Sequence, residues 1–396
     1  MRSPVYLDNH ATTRVDPRVL AAMLPYFVDH YGNAGSTSHQ FGAEAREAVE
    51  RARAAIGEQI GASAREIVFT SGATESNNLA LRGVAERVRR RGNHLVSVVT
   101  EHKAVLDPLA RLSRKGYDVT LLPVAPADRR DAGRIDVQQF ADALRNDTLL
   151  ASVMLANNEI GVLQPLAEIA RLCRAKGVLL HCDATQAVGK LPLNAHELDV
   201  DLLSFSAHKI YGPKGVGALY VRRSSPPIRL EPLADGGGQE MGLRSGTLNV
   251  PGIVGLAQAL QLCTAEMPTE TERLQSLRDH LFTGLCRELT GVTLNGPALD
   301  DVSLRLTGNL NCRFEFVDGE ALMMNLRDVA VSSGSACTST NPEPSHVLRA
   351  LGLSTDDARS SLRFGLGRFN TLDDVDTAVS AIAETVRALR KLSSSA

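Results

Sequence analysis

The chain has 396 residues, 43% hydrophobic and 22% charged, with a formal net charge of -2. That balance describes a globular protein long enough for a large core and two domains, and it excludes a global field favouring nucleic acid or an anionic membrane. No apolar run approaches the roughly 20 residues of a membrane helix, and no stretch of signal-peptide type precedes "YLDNHATT" near the start, so a cytoplasmic, enzyme-sized protein is expected.

A charged helix is predicted around 43–60, after which strand-like and helical runs alternate. "EIVFT" (66–70) leads into "SGATESNNLALRGVAERVRRR", and "HLVSVVT" (94–100) precedes a helix near 104–115. "DVTLLPV" (118–124), "LLASVML" (149–155), "VLLHCDA" (178–184) and "DLLSFS" (201–206) follow, with "PLAEIARLCRAKG" (165–177) between the middle two. Short, nearly continuous apolar strands separated by amphipathic helices predict a mostly parallel sheet flanked by helices, an α/β fold. "GALYVRR" (217–223) comes after a turn too short for a helical crossover, so it is expected to run antiparallel to its neighbour. From about 265 the texture changes to a charged helix, alternating strands in "VSLRLTGNLNCRFEF" and "SLRFGLGRF", and a final helix over 372–392. This is read as a smaller α+β domain. The expected division is an N-terminal segment 1–15 packing with the small domain, a large domain 16–264, and a small domain 265–396.

Six cysteines stand at 173, 182, 263, 286, 312 and 337, none in a C-x-x-C pair, so a zinc ribbon or thioredoxin-like motif is not supported. Cys173, Cys182, Cys263 and Cys286 have apolar neighbours and are expected in the core. Cys337 differs: "SSGSACTST" has little apolar surface to offset its ordering, which predicts a mobile loop.

Ligands of open α/β sheets collect at the carboxyl ends of strands, and four unusual clusters fall there. "TSGATESNN" (70–78) puts small residues and a hydroxyl at a helix start, a phosphate seat or a plain cap. His102 in "VTEHKAV" closes a second strand and can stack on a flat ring or serve structure alone. Asp183 ends an apolar strand, where a carboxylate needs a cation, a donor or a helix to cap. Lys209 follows another such strand in "SFSAHKIYGPKGVG", ahead of a turn with little side-chain bulk. A phosphate seat, a stacking imidazole, an acidic partner for a ring nitrogen and an imine-forming lysine together fit pyridoxal phosphate. A nicotinamide site is not supported, because no strand is followed by G-x-G-x-x-G.

The motifs "YLDNHATTRVDPRV", "EIVFTSGATESNNLA", "TEHKAVLD", "NNEIGV", "DATQAVGKLP", "FSAHKIYGPKG", "RSGT", "VSSGSACTS" and "SSLRFGLGRFNT" span essentially the whole chain. In this combination the sequence resembles cysteine desulfurases of the NifS/IscS type, within the class V aminotransferases that use pyridoxal phosphate. The resemblance implies fold type I of the pyridoxal-phosphate enzymes, with L-cysteine as substrate and L-alanine as product. Lys209 would carry the cofactor, Asp183 would partner the pyridine nitrogen, and His102 would lie against the ring. Ala73, Thr74, Ser206 and His208 would hold the phosphate, while Asn158 and Gln186 would contact ring substituents. Thr247 would reach the phosphate of the partner subunit in a homodimer, and Arg363, rather than Arg368, would hold the substrate carboxylate, beside Asn158. The proton carrier would be Lys209, assisted by His102, and the Cys337 thiolate would take the sulfur as a persulfide for a sulfur acceptor or iron–sulfur scaffold protein. No resident metal is expected, although Cys337 could ligate an iron–sulfur cluster transiently with a scaffold.

Two departures stand out. "GNAGSTSH" (32–39) lacks the proline common after that asparagine, and "RKLSSSA" ends without the longer tail IscS-type enzymes use to dock the scaffold. The resemblance therefore speaks more firmly for sulfur chemistry than for the partner. A selenocysteine lyase or class V aminotransferase of the same fold is the alternative enzyme, and a sulfur carrier or assembly scaffold without turnover the alternative outside enzymes.

Overall fold

The computed structural model describes residues 4–88, 91–225, 227–333 and 343–393. Strand β1 (Val5–Tyr6) opens the chain, followed by α1 (Pro17–Met23), α2 (Pro25–Val28) and α3 (Gln40–Gln59). The alternating region runs β2 (Ile67–Thr70), α4 (Ala73–Val88), β3 (His94–Val98), α5 (Lys103–Arg114), β4 (Asp118–Leu122), α6 (Val137–Ala143) and β5 (Thr148–Ser152). It continues with α7 (Leu166–Lys176), β6 (Leu179–Asp183), β7 (Leu202–Ser206) and β8 (Gly217–Val221). Next come α8 (Val250–Glu288), β9 (Val292–Leu294), β10 (Asn309–Phe314), α9 (Gly319–Asn325) and β11 (Val329–Ala330). The last elements are α10 (His346–Ala350), α11 (Thr355–Arg359), β12 (Ser361–Gly365) and α12 (Leu372–Ser393).

Seven strands form the main sheet in the order β2-β8-β7-β6-β5-β3-β4. The four pairings other than those of β8 are parallel, whereas β8 runs antiparallel to both β2 and β7. Strand alternation decides which core each side chain joins. Val96, Leu203 and Phe205 face a core shared with α3, α7 and the first half of α8. Leu95, Leu202 and Leu219 face the opposite core with α4 and α5. All positions of β3, β5, β7 and β8 are buried, which is why their sequences read as nearly continuous apolar runs.

A second core gathers Leu7, the later part of α8 (Leu277, Leu281, Leu285), β10, β12 and α12. The change of texture at 265 therefore falls inside one helix of 39 residues, which contains Pro268. What changes there is the partner: Cys263 packs in the large core and Leu277 in the small one. One expectation is corrected here. Cys286 is exposed, because Leu277, Leu281 and Leu285, spaced at i+4, occupy the buried stripe, and the residue after Leu285 turns away from it.

The N-terminal segment ties the two cores across the site. Asn9 N–H donates to the Gly365 carbonyl at 3.0 Å and Thr13 N–H to the His208 carbonyl at 2.9 Å. Gly365 has to be glycine, since a Cβ there would lie 2.7 Å from the His10 nitrogen. No helix among the described residues is long and apolar enough to cross a membrane.

Candidate active site

Because β8 is antiparallel to both of its neighbours, β2 runs the same way as β7, β6, β5 and β3, and the carboxyl ends of these five strands lie along one edge. A cavity of about 590 Å³ opens there, within the size range of cofactor sites. Its walls include Ala73, Thr74, His102, Asn158, Asp183 and Gln186, and also Ser206, His208, Lys209 and Arg363. Residues predicted from separate strand ends thus converge.

At the end of β2 the chain turns directly into α4. Thr70 Oγ1 shares a 2.8 Å hydrogen bond with Ser76 Oγ and accepts one from Gly72 N–H at 3.3 Å. The turn touches the start of β8 through glycine alone: a Cβ on Gly217 would lie 2.7 Å from Gly72 Cα. Ser206 Oγ stands 3.7 Å from where a Gly72 Cβ would be. The 16-residue α4 therefore presents free N–H groups, small side chains and a hydroxyl to an anion.

Asp183, buried at the end of β6, accepts from Asn77 Nδ2 at 2.7 Å and from Thr185 N–H at 3.0 Å. His102 caps α5, its Nδ1 accepting from Ala104 N–H at 3.0 Å. That bond places the remaining proton on Nε2. Burial lowers the imidazole's pKa, a shift Asp183 opposes and Lys209 reinforces, so the ring is held toward its neutral form. His102 is therefore at once the helix cap of the structural alternative and a wall of the cavity. Burial first, then the charges of Lys209 and Lys214, pushes His208 down to about 4.

Lys209 follows β7, and its Nζ donates to the carbonyls of His10 and Ala11, each at 2.6 Å. The two arginines left close together by sequence separate clearly. Arg363 on β12 lines the cavity, donates from Nη2 to Asp8 Oδ1 at 2.7 Å, and has a buried Nε with no hydrogen-bond partner. Arg368 pairs with Asp16 at 2.8 Å and Glu266 at 3.0 Å and stacks on Tyr211, away from that cavity. Thr247 is exposed and is not part of the cavity wall. Cys337 lies outside the described residues.

Sequence reasoning missed His10, Ala11 and Thr12, which line the cavity, and Asn77, which orients Asp183. Asn77 had a visible signal, a polar residue on the apolar face of α4. The N-terminal residues had none in the strand–helix pattern, because tertiary contacts alone bring them over the sheet edge.

The donor set fits pyridoxal phosphate: an anion seat at a helix start, a fixed carboxylate for a ring nitrogen, a lysine for the aldehyde carbon, and a guanidinium in the wall for a substrate carboxylate. Comparison with known proteins agrees. The aminotransferase class-V family matches residues 5–378, and the chain belongs to that family. A cysteine desulfurase IscS of Anaeromyxobacter dehalogenans (strain 2CP-C) is 56% identical over 393 residues, 99% of this chain and 95% of that one. A solved NifS-like protein superposes with a TM-score of 0.88 at 38% identity, covering 98% of this chain and 100% of the other. The structure of SspA in complex with cysteine gives 0.80 at 36% identity, over 92% of this chain and 99% of that one. The chain is a pyridoxal-phosphate-dependent enzyme of the cysteine desulfurase type.

Proposed function

We propose that the cavity at the sheet edge is where sulfur leaves L-cysteine, that Cys337 receives it, and that L-alanine is the other product. The observation that carries this reading is the convergence of Lys209, Asp183 and Arg363 on one cavity from three separate strands. Bound pyridoxal phosphate supplies an electron sink for the substrate carbons attached to its amino group.

The residues divide the remaining work. Ala73, Thr74, Ser206 and His208 would hold the phosphate, His102 would lie against the ring, and Gln186 and Asn158 would contact its substituents, all from the wall of one cavity. Asp183, fixed by Asn77 and the Thr185 N–H, has the geometry to keep a ring nitrogen protonated. Arg363 in the cavity wall binds the substrate carboxylate while Asp8 holds its Nη2. Lys209 would hold the cofactor, and its free amine would move the α-proton. His102 can assist only through Nε2, since Nδ1 is committed to α5. At Cys337 the thiolate attacks the substrate sulfur: an S–S bond forms, the carbon–sulfur bond breaks, and its electron pair takes a proton to complete alanine.

In this reading the enzyme is a cytoplasmic homodimer in which the exposed Thr247 reaches the partner's phosphate position. Cytoplasmic placement is supported by the absence of disulfides among the five described cysteines. Residues 1–15, 16–264 and 265–396 are the proposed functional units, and the persulfide passes to an iron–sulfur scaffold or another sulfur acceptor. The test is incubation of the holoenzyme with L-cysteine and a thiol reductant. Alanine and sulfide should appear in equal amounts, and Lys209→Ala should lose both, together with the absorption band of the bound cofactor. Normal turnover by that variant would contradict the assignment.

A further inference from the structure

Behind Lys209 stands a second lysine that the proposed reaction does not use. Lys190, four residues after Gln186, donates from Nζ to Gln186 Oε1 at 2.8 Å. The same oxygen is 3.1 Å from His10 Nδ1, and Gln186 Nε2 donates to the His10 carbonyl at 2.9 Å. That carbonyl also accepts from Lys209 Nζ at 2.6 Å. Two lysines are thus joined through one side-chain amide and one backbone carbonyl.

We propose that Lys190 is a positioning residue of the cofactor site: it fixes the direction of the Gln186 amide and, as a nearby cation, holds down the proton affinity of the Lys209 nitrogen. This rests on the reading of Lys209 as the lysine that carries the cofactor.

The amide direction follows from donor and acceptor matching. An ammonium has only hydrogens to offer, so it selects the oxygen of Gln186 and rejects the nitrogen. Burial keeps His10 well below the usual imidazole pKa, so it stays neutral, and with Nδ1–H turned to Gln186 Oε1 both donors converge on one oxygen. The nitrogen of Gln186 is then set toward the His10 carbonyl, with its second N–H left for a ring substituent in the cavity that Gln186 lines.

The electrostatic part follows from the surroundings. Lys190 borders a separate cavity of about 40 Å³, which it shares with His10, Tyr211, Cys263, Glu270 and Arg368. Burial, followed by the charge of Lys209, brings Lys190 down to about 7; Cys263 opposes the shift and Arg363 adds to it. The repulsion is reciprocal, so a charge on Lys190 disfavours a charge on Lys209. The cavity exceeds the minimum for one water.

The test is a pH titration of the absorption band of the bound cofactor in Lys190→Met and Lys190→Arg holoenzymes. Lys190→Met removes the cation, and its midpoint should rise by about one pH unit. Lys190→Arg keeps the cation and should hold the midpoint at or below that of the wild type. If Lys190→Met does not fold, Lys190→Gln, polar and uncharged, carries the same expectation. Unmoved midpoints in both variants, or a rise of equal size in both, would overturn the proposal, the second outcome because it would report packing rather than charge. Failure of the underlying reading looks different: Lys209→Ala would then keep the cofactor band.

Discussion

Arg363 and Arg368 share a residue type, a short stretch of sequence and burial, yet their neighbours give them opposite work. Arg363 has Nη2 on Asp8 and lines the cavity, where its charge is open to a substrate carboxylate. Arg368 is committed to Asp16, Glu266 and the ring of Tyr211. Arg363→Lys should therefore raise KM for L-cysteine by about 10- to 100-fold, the value of a charged hydrogen bond, without loss of cofactor. Arg368→Ala should leave KM near normal and lower stability by about 1–3 kcal/mol in urea denaturation, because Arg18 still pairs with Asp16. Hydrogen bonds from Arg18, then Arg368, hold the Asp16 carboxyl well below the usual carboxylate range. Its stabilising contribution is thus present above the unfolded-state pKa of about 3.9 and lost as pH falls below it toward the folded value. The stability gap between wild type and Arg368→Ala should accordingly persist from neutrality to about pH 4 and close in stronger acid. Asp183→Asn keeps the size of the side chain but removes its charge. Cofactor should still bind, while exchange of the substrate α-hydrogen, followed by proton NMR in deuterated water, falls by about 100-fold or more. Near-normal exchange would show that Asp183 does not support the ring nitrogen.

Among the elements, the loop carrying Arg244 and Thr247 is held from an unexpected point. Glu240 and Met241 adopt left-handed backbone, φ 48° and 59°, a conformation that costs a non-glycine residue energy. The Glu240 carboxylate offsets that cost by accepting both Arg53 nitrogens at 2.7 and 2.8 Å and the Phe69 N–H at 2.7 Å. Arg53 also lies over the Phe69 ring at 4.6 Å. The loop is thereby fastened to α3 and β2, and Arg244 reaches Glu75 in the first turn of α4 at 3.0 Å. Glu240→Ala leaves Arg53 with only Glu50 at 3.2 Å and the Ile67 carbonyl at 2.7 Å, and the loss of its charged hydrogen bonds should cost about 1.5–3 kcal/mol, read from the denaturation midpoint. If Thr247 serves a partner subunit, the same variant should also speed cofactor release. None of this was legible in the sequence, because Arg53 sits in a helix of ordinary charge pattern and Glu240 in a glycine-rich stretch. Strands β2, β3, β5, β7 and β8 were legible because burial on both faces leaves few polar positions in the pattern. The full length of α8 was not, since its buried stripe passes from one core to another while Pro268 interrupts its N–H pattern.

For the molecule as a whole, the antiparallel β8 is what brings the site together. It lets β2 lie parallel to β7 with β8 between them, so that the turn into α4 and the Lys209 turn share one edge. The N-terminal segment then closes over that edge from the small core, supplying the carbonyls that Lys209 meets. Parallel strand ends were readable one by one, and so were Asp183, His102 and Lys209. The covering role of His10 and Ala11 was not, because it arises from contacts with residues far along the chain. The central claim, that sulfur passes from L-cysteine to Cys337, is tested most directly by peptide mass mapping after a single treatment with L-cysteine, without reductant. The expected result is one added sulfur on the peptide carrying Cys337, with one alanine per sulfur, and neither in Cys337→Ser. Added sulfur on Cys173, Cys182, Cys263, Cys286 or Cys312 instead, or normal turnover in the serine variant, would contradict it.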